Sequence, residues 1–227
     1  MRVRMRIQGG TVMKTRMMSL IALLATMLIG CGGAMAAPTE KTDPGCDLKM
    51  AMRKLWEDHI MYTRNYIISS LARLEDADKV AERLLKNQND IGGAIKPYYG
   101  VGAGDRLATL LQDHIRIATQ VVAAAKAGNR SALTDVQGKW TANSKEIAAF
   151  LSGADPNWRY VIIVRSTEDV ETMLQKHLDL TTAEVVGRLN KDWAADMRAY
   201  DEGHAHMLMF ADALTAGIVK QFPERFK

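Results

Sequence analysis

Three similar segments, each centred on a histidine, constrain the fold of this chain more than any other feature. Residues 110–119 form the middle copy around His114, and related segments surround His59 upstream and His177 downstream. In each copy apolar side chains recur at helical spacing on the face that carries the histidine. We therefore predict one helical unit that the chain uses three times, because a repeat determines the architecture of the whole domain.

A second polar residue follows each histidine at an almost constant distance. It lies 28 or 29 residues further on, and an apolar residue follows it four positions later. The three pairs are His59 with Asn87, His114 with Asn143, and His177 with His206. Residues equidistant from the turn of an antiparallel hairpin stand at the same height, about 20 Å above the turn for this spacing. If the hairpins pack side by side in the same sense, the six polar residues approach one level of the fold, with His206 at the edge of its apolar stripe.

The apolar periodicity predicts six helices in three hairpins, at about 47–97, 104–153 and 166–221. The expected turns are 74–76, 128–130 and 190–192. Six helices without a credible sheet indicate an all-α antiparallel bundle, built from three helical-hairpin repeats. We expect this bundle to occupy residues 47–225 as one domain.

Two stretches interrupt the helical pattern. Pro97 is expected to stop the second helix, and residues 98–104 to form a loop before a third helix that starts at Asp105. Residues 159–165 have strand composition, but a lone strand has nothing to pair with in a helical chain. We therefore expect an extended connection or a helix extension there, with the fifth helix opening at Ser166.

The N-terminus has the features of an export signal, since a short apolar run follows several basic residues. Two cleavage sites compete. Residues 28–31 resemble the lipobox of bacterial lipoproteins and would leave Cys31 lipidated, whereas residues 34–36 suit ordinary signal peptidase. We expect a signal peptide over residues 1–30 and a flexible arm or lipoprotein tether over 31–46. The protein would then be exported to the periplasm or the outer surface of the cell envelope.

The formal charge of +4 comes from this N-terminal segment. The segment holds five of the 30 basic residues and no acidic one, which leaves 25 basic residues against 26 acidic ones elsewhere. We therefore expect no nucleic-acid partner, and contact with a membrane only through the lipid anchor. Either cleavage leaves Cys46 without a partner in its own chain, so the pattern predicts a fold without disulfides.

Four sequence motifs are distinctive when taken together. They are Trp-Glu-Asp-His at 56–59, Leu-Leu-Lys-Asn-Gln-Asn-Asp-Ile-Gly at 84–92, Ala-Ile-Lys-Pro-Tyr-Tyr-Gly at 94–100 and His-Leu-Asp-Leu-Thr-Thr at 177–182. Together they resemble a family of exported bacterial helical proteins without an established biochemical role. The resemblance implies a helical fold for most of residues 50–225, from which 159–165 departs. Some members are labelled glycosyltransferase or kinase, but this chain has no nucleotide-sugar or ATP motif.

A buried layer of polar residues must be hydrogen-bonded, hydrated or bound to a ligand, because an unpaired buried polar group costs about 1–3 kcal/mol. One hypothesis is a network that fixes helix register, in which each histidine bonds to the partner in its own hairpin. The polar tips of aromatic residues such as Trp140 would reach the same layer.

A second hypothesis is a metal or small-ligand site. His59, His114 and His177 would be the ligands, with His206 as a fourth, and neutral imidazoles suit zinc or copper. Catalysis is the third hypothesis, but the chain lacks the Glu-x-x-His pattern of di-iron enzymes. We therefore expect a non-enzymatic, exported helical-bundle protein that binds a ligand or serves the cell envelope. The alternative is a metal-binding protein, including an oxidoreductase, that uses the same histidines.

Overall fold

The computed structural model describes residues 43–159, 161–163 and 166–227. They contain six long helices: α1 (Pro44–Ala72), α2 (Ala77–Tyr99), α3 (Val101–Lys126), α4 (Arg130–Ala154), α5 (Val170–Leu189) and α6 (Trp193–Gln221). Successive helices pair into three antiparallel hairpins, which confirms the predicted all-α bundle of six helices. None of the described helices combines the length and the apolar content that a membrane span requires.

Two features are predicted at the start of the chain, and the structure describes only part of them. The signal peptide, the cleavage sites and Cys31 lie outside the described residues. The arm predicted over 31–46 ends earlier than expected, because α1 already begins at Pro44. Asp43 caps this helix by accepting a hydrogen bond from the Gly45 amide, and proline suits the first helical turn. Cys46 is therefore an exposed residue of α1.

The predicted hairpin turns are correct to within one residue, because local signals determine them. Arg73 ends α1 in the left-handed conformation, with φ of 58°. Three later helices begin at a side-chain cap: Asn129 accepts from the Ala132 amide, Asp169 from the Thr172 amide and Asp192 from the Ala195 amide. Each cap satisfies one of the amide groups that a helix N-terminus leaves unpaired.

The loop predicted over 98–104 is wrong. Helix α2 continues through Pro97, and Gly100 alone, with φ of 84°, separates α2 from α3. A side chain at either Gly92 or Gly104 would clash with the backbone carbonyl of the other glycine. These two glycines therefore allow close packing of α2 against α3, which a sequence reading cannot distinguish from turn formation.

The segment at 159–165 also differs from expectation. A 3-10 turn at Pro156–Arg159 leads into strand β1 (Val161–Ile163), which pairs antiparallel with strand β2 (Ser166–Glu168). The extended stretch thus pairs with residues 166–168, which were predicted to open the fifth helix. That helix, α5, begins only at Val170. Trp158 attaches this segment to α6, because it is buried and donates a hydrogen bond to the Leu214 carbonyl at 3.1 Å.

The six helices close into a ring. Each even-numbered helix packs against the two odd-numbered helices beside it, and α6 returns to pack against α1. The three odd-numbered helices α1, α3 and α5 meet along the centre. Equivalent positions of these three helices form successive buried layers: Met52, Leu107 and Val170; Trp56, Leu111 and Leu174; His59, His114 and His177; Ile67, Val122 and Val185. The histidines therefore form one layer of a stack that is otherwise mostly apolar.

Candidate functional site: a histidine layer in the core

The six polar residues that the sequence singled out are all buried. They are His59, Asn87, His114, Asn143, His177 and His206, and none is more than 7% exposed. His206 is 6% exposed, so its side chain lies inside the bundle. We call the six residues the histidine layer.

Three equivalent hydrogen bonds tie the hairpins together at this level. In each hairpin, the polar residue of the second helix donates to the backbone carbonyl four residues before the histidine of the first helix. The bonds are Asn87 Nδ2 to the Leu55 carbonyl at 3.0 Å, Asn143 Nδ2 to the Leu110 carbonyl at 3.1 Å, and His206 Nε2 to the Met173 carbonyl at 2.8 Å. The two residues of each pair therefore stand at the same height, as the turn positions predicted.

The three histidines of the odd-numbered helices also approach one another at the centre. The ring centroid of His177 lies 5.5 Å from that of His59 and 6.1 Å from that of His114. The hypothesis of separate histidine pairs, one within each hairpin, is therefore incomplete. His177 lies close to both of the other rings and connects the hairpins.

His114 is the fully hydrogen-bonded member of the layer. Its Nδ1 lies 2.8 Å from Asn143 Oδ1, and its Nε2 lies 3.0 Å from the indole nitrogen of Trp140. An amide oxygen accepts and an indole N–H donates, so Nδ1 carries the ring proton and Nε2 is the acceptor. The expected pairing with Asn143 is confirmed here, and so is the expected contribution of Trp140.

His59 and His177 differ from His114. Among the described residues, no hydrogen-bond partner reaches the buried Nδ1 atom of either ring. The Asn87 oxygen, which we expected to pair with His59, accepts a hydrogen bond from Gln88 Nε2 at 3.1 Å instead. Sequence reasoning missed Gln88, because it stands in a polar run, Asn-Gln-Asn-Asp, that is typical of an exposed surface.

Burial keeps these imidazoles neutral. The pKa of His59 falls to about 3, first through desolvation and then through the nearby His114, whereas the Gln88 side chain acts in the opposite direction. Desolvation lowers the pKa of His114 to about 4, against the effect of its bond to Asn143. The pKa of His177 also falls well below its usual value, first through burial and then through the three neighbouring histidines.

The metal-site hypothesis for His59, His114, His177 and His206 stays a prediction. Within the part of the chain that the structure describes, no group of three or more His, Cys, Asp or Glu side chains is arranged to hold a metal ion. His114 would have to give up the bond from Trp140 to ligate through Nε2, and a closed tetrahedral zinc site needs four protein ligands.

A small cavity lies next to the layer on the side of the hairpin turns. Its volume is about 20 Å³, and Thr63, Ala118 and Thr181 line it one helical turn beyond the histidines. The layer of Ile67, Val122 and Val185 lines the side of the cavity that faces away from the histidines. This space holds about one water molecule, so it is too small for an organic substrate.

A largely buried ion-pair cluster lies nearer the turns, and no sequence pattern indicated it. Arg64 contacts Glu184 at 2.6 Å and Asp196 at 2.8 Å, and Arg188 contacts Asp196 at 2.8 Å. Burial raises the pKa of Glu184 to about 7, although the neighbouring Arg64 opposes this change. Arg64 and Glu184 lie 120 residues apart in the chain, so no local pattern could have paired them.

The chain matches no protein-family model, no curated protein and no solved structure. The resemblance to a family of exported bacterial proteins therefore still depends on the quoted motifs alone.

Proposed function

We propose that this protein is an exported, non-enzymatic helical-bundle protein that binds a ligand or serves the cell envelope. The enclosure of the histidine layer is the observation that carries the non-enzymatic part of the proposal, and the N-terminal sequence supports export. Its six side chains are buried, and layers of Trp56, Leu111 and Leu174 on one side and Ile67, Val122 and Val185 on the other are also buried. The adjoining cavity has a volume of about 20 Å³, which gives an organic substrate no room to reach the imidazoles.

The layer has a structural role in this proposal. Each of these hydrogen bonds reaches one particular backbone carbonyl, so it forms in only one register of the second helix against the first. The bonds therefore select the helix register of each hairpin. The bonds of Asn143 show the principle, since its amide joins the Leu110 carbonyl and His114 in one arrangement. Specificity of packing suits a protein that must fold after export.

Export is supported by the N-terminal sequence, and intact-mass measurement on cell fractions tests it. We expect the mature chain in the envelope fraction to begin at Cys31 with attached lipid, or near Ala37 without it. Globomycin, which blocks lipoprotein processing, should cause precursor to accumulate in the first case only. A cytoplasmic protein that retains residues 1–30 would contradict the proposal.

Metal binding is the second candidate function. It is favoured by one specific observation, the two buried Nδ1 atoms of His59 and His177 that have no partner among the described residues. Imidazole nitrogens are common ligands for copper and zinc. Metal analysis of protein purified without a histidine tag tests this candidate independently of where the protein resides.

A further inference from the structure

The nitrogen atoms of the histidine layer divide into those already engaged and those that could accept a ligand. His114 uses both ring nitrogens, and His206 uses Nε2 to bond the Met173 carbonyl. The Nδ1 atoms of His59 and His177 are buried, and no group in the described chain bonds to them. The two rings with an unengaged nitrogen are neighbours at the centre of the bundle.

The spacing of these two rings fits a shared ion. Their centroids lie 5.5 Å apart, and their planes are inclined by 56°. An ion bound by two imidazoles, with bonds of about 2.0–2.1 Å, would hold the ring centres roughly 6 Å apart. The two rings are therefore close enough to share one ion.

The charge of the surroundings selects the class of ion. The six residues of the layer include no carboxylate, and the buried acids Glu184 and Asp196 are already paired with Arg64. A divalent ion between two neutral ligands would leave a double charge uncompensated in an apolar core, and the cost of burying an ion rises steeply with its charge. A monovalent ion that accepts two imidazole ligands needs no carboxylate and leaves only a single charge uncompensated.

We propose that His59 and His177 bind one monovalent copper ion, Cu(I), or its chemical analogue Ag(I), through their Nδ1 atoms. Both rings then carry their proton on Nε2, and no proton is released on binding. This inference deepens the metal-binding candidate by naming its ligands and its ion, and it does not depend on export.

Silver titration tests the proposal, because Ag(I) does not change its oxidation state. The full chain carries Cys31→Ser and Cys46→Ser, which removes the two thiols that would bind the ion first. Native mass spectrometry should show one ion per folded chain in the presence of a competing thioether, and the melting temperature should rise. Cu(I) held reduced by ascorbate should behave alike, whereas Zn²⁺ should leave the melting temperature unchanged.

Matched variants locate the site. His59→Gln and His177→Gln should each weaken Ag(I) binding by roughly 100-fold or more, since each removes one of two ligands. His204→Gln is the control, because His204 lies on the surface near Glu57 and should have no effect. Ag(I) binding that persists in both core variants would place the ion on methionines and overturn the proposal. A folded protein that fails to bind Ag(I), or that prefers Zn²⁺, would overturn it too.

A spectroscopic measurement covers the case in which the core variants do not fold. In ¹⁵N-labelled protein without substitutions in the layer, Ag(I) should shift the Nδ1 resonances of His59 and His177 and leave those of His114 in place. A shift confined to His114 or to the surface His204 would contradict the assignment. Either failure would leave the export proposal untouched, because cell fractionation decides that question.

Discussion

His114 and His59 occupy equivalent positions in α3 and α1, but their hydrogen bonding is different. His114 bonds to Asn143 and accepts from Trp140, whereas the Nδ1 atom of His59 has no partner in the described chain. Both rings are buried to the same degree, at 3% and 2% exposure. Equivalent backbone positions therefore produce two different chemical environments within one layer.

Two substitutions between the hairpins explain the difference. Trp140 stands three residues before Asn143, and the equivalent residue of α2 is Leu84, whose side chain has no donor. Gln88 follows Asn87 directly and binds its amide oxygen, whereas the equivalent residue of α4, Ser144, is too short to do the same. In the second hairpin, both ring nitrogens of His114 are thus hydrogen-bonded. In the first hairpin, the oxygen of Asn87 bonds to Gln88 and not to the histidine.

Low pH should reduce the free energy of unfolding more than any of the substitutions below, because it acts on the whole histidine layer. The folded pKa values of the three central histidines lie below the unfolded value of about 6.5, so the unfolded state takes up protons first as the pH falls. Each histidine should then remove about 1.4 kcal/mol of stability per pH unit below about pH 6, until its folded pKa is reached. Glu184 acts in the opposite direction between about pH 7 and its unfolded pKa, because its folded pKa is raised to about 7.

Urea denaturation at pH 7, 6 and 5 measures this dependence. The free energy of unfolding should fall by several kcal/mol over the range, as three histidines outweigh one glutamate. His59→Leu and His114→Leu should each reduce the slope by the contribution of one histidine. A stability that does not change between pH 7 and pH 5 would show that the layer is hydrated or already protonated.

The two histidines should differ sharply when each is replaced by leucine at pH 7. His114→Leu leaves the Trp140 indole and the Asn143 oxygen unpaired in the core, which should cost about 2–4 kcal/mol. His59→Leu removes a nitrogen that has no partner, and its cost should stay within about 1 kcal/mol. Equal losses in the two variants would mean that His59 is hydrogen-bonded as completely as His114.

The two buried tryptophans near the layer offer a finer comparison. Trp140→Phe and Trp56→Phe remove similar volumes, but only the Trp140 indole donates a hydrogen bond, whereas that of Trp56 finds no acceptor among the described residues. Trp140→Phe should therefore be more destabilising by about 1 kcal/mol, the net contribution of one hydrogen bond. Thermal unfolding of both variants measures the difference, and a larger loss for Trp56→Phe would reverse the expected order.

Sequence patterns predict the fold and the height of the layer well, because both depend on local information. Apolar spacing and capping residues such as Asn129 and Asp192 locate the helices and turns. Once the turns are known, hairpin geometry places His114 opposite Asn143 without further assumptions.

The parts that sequence reading missed depend on contacts between distant elements. Gly104 was predicted to lie in a loop, but the role of Gly92 and Gly104 in packing is apparent only when α2 lies against α3. The hydrogen bonding of the Asn87 amide depends on the rotamer of Gln88, and the approach of His177 to two other rings depends on how three hairpins pack. No periodicity within a single helix contains that information.

The tautomer of His114 tests the central claim most directly, because the claim assigns one engaged ring and two partly unengaged rings to a single neutral layer. Long-range ¹H–¹⁵N spectra of the imidazoles at pH 7 report the protonation of each nitrogen. We expect a protonated Nδ1 and an unprotonated Nε2 for His114, unchanged on titration to pH 5, since burial lowers its pKa to about 4. A ring protonated on Nε2, or one that becomes charged near pH 6, would contradict the account.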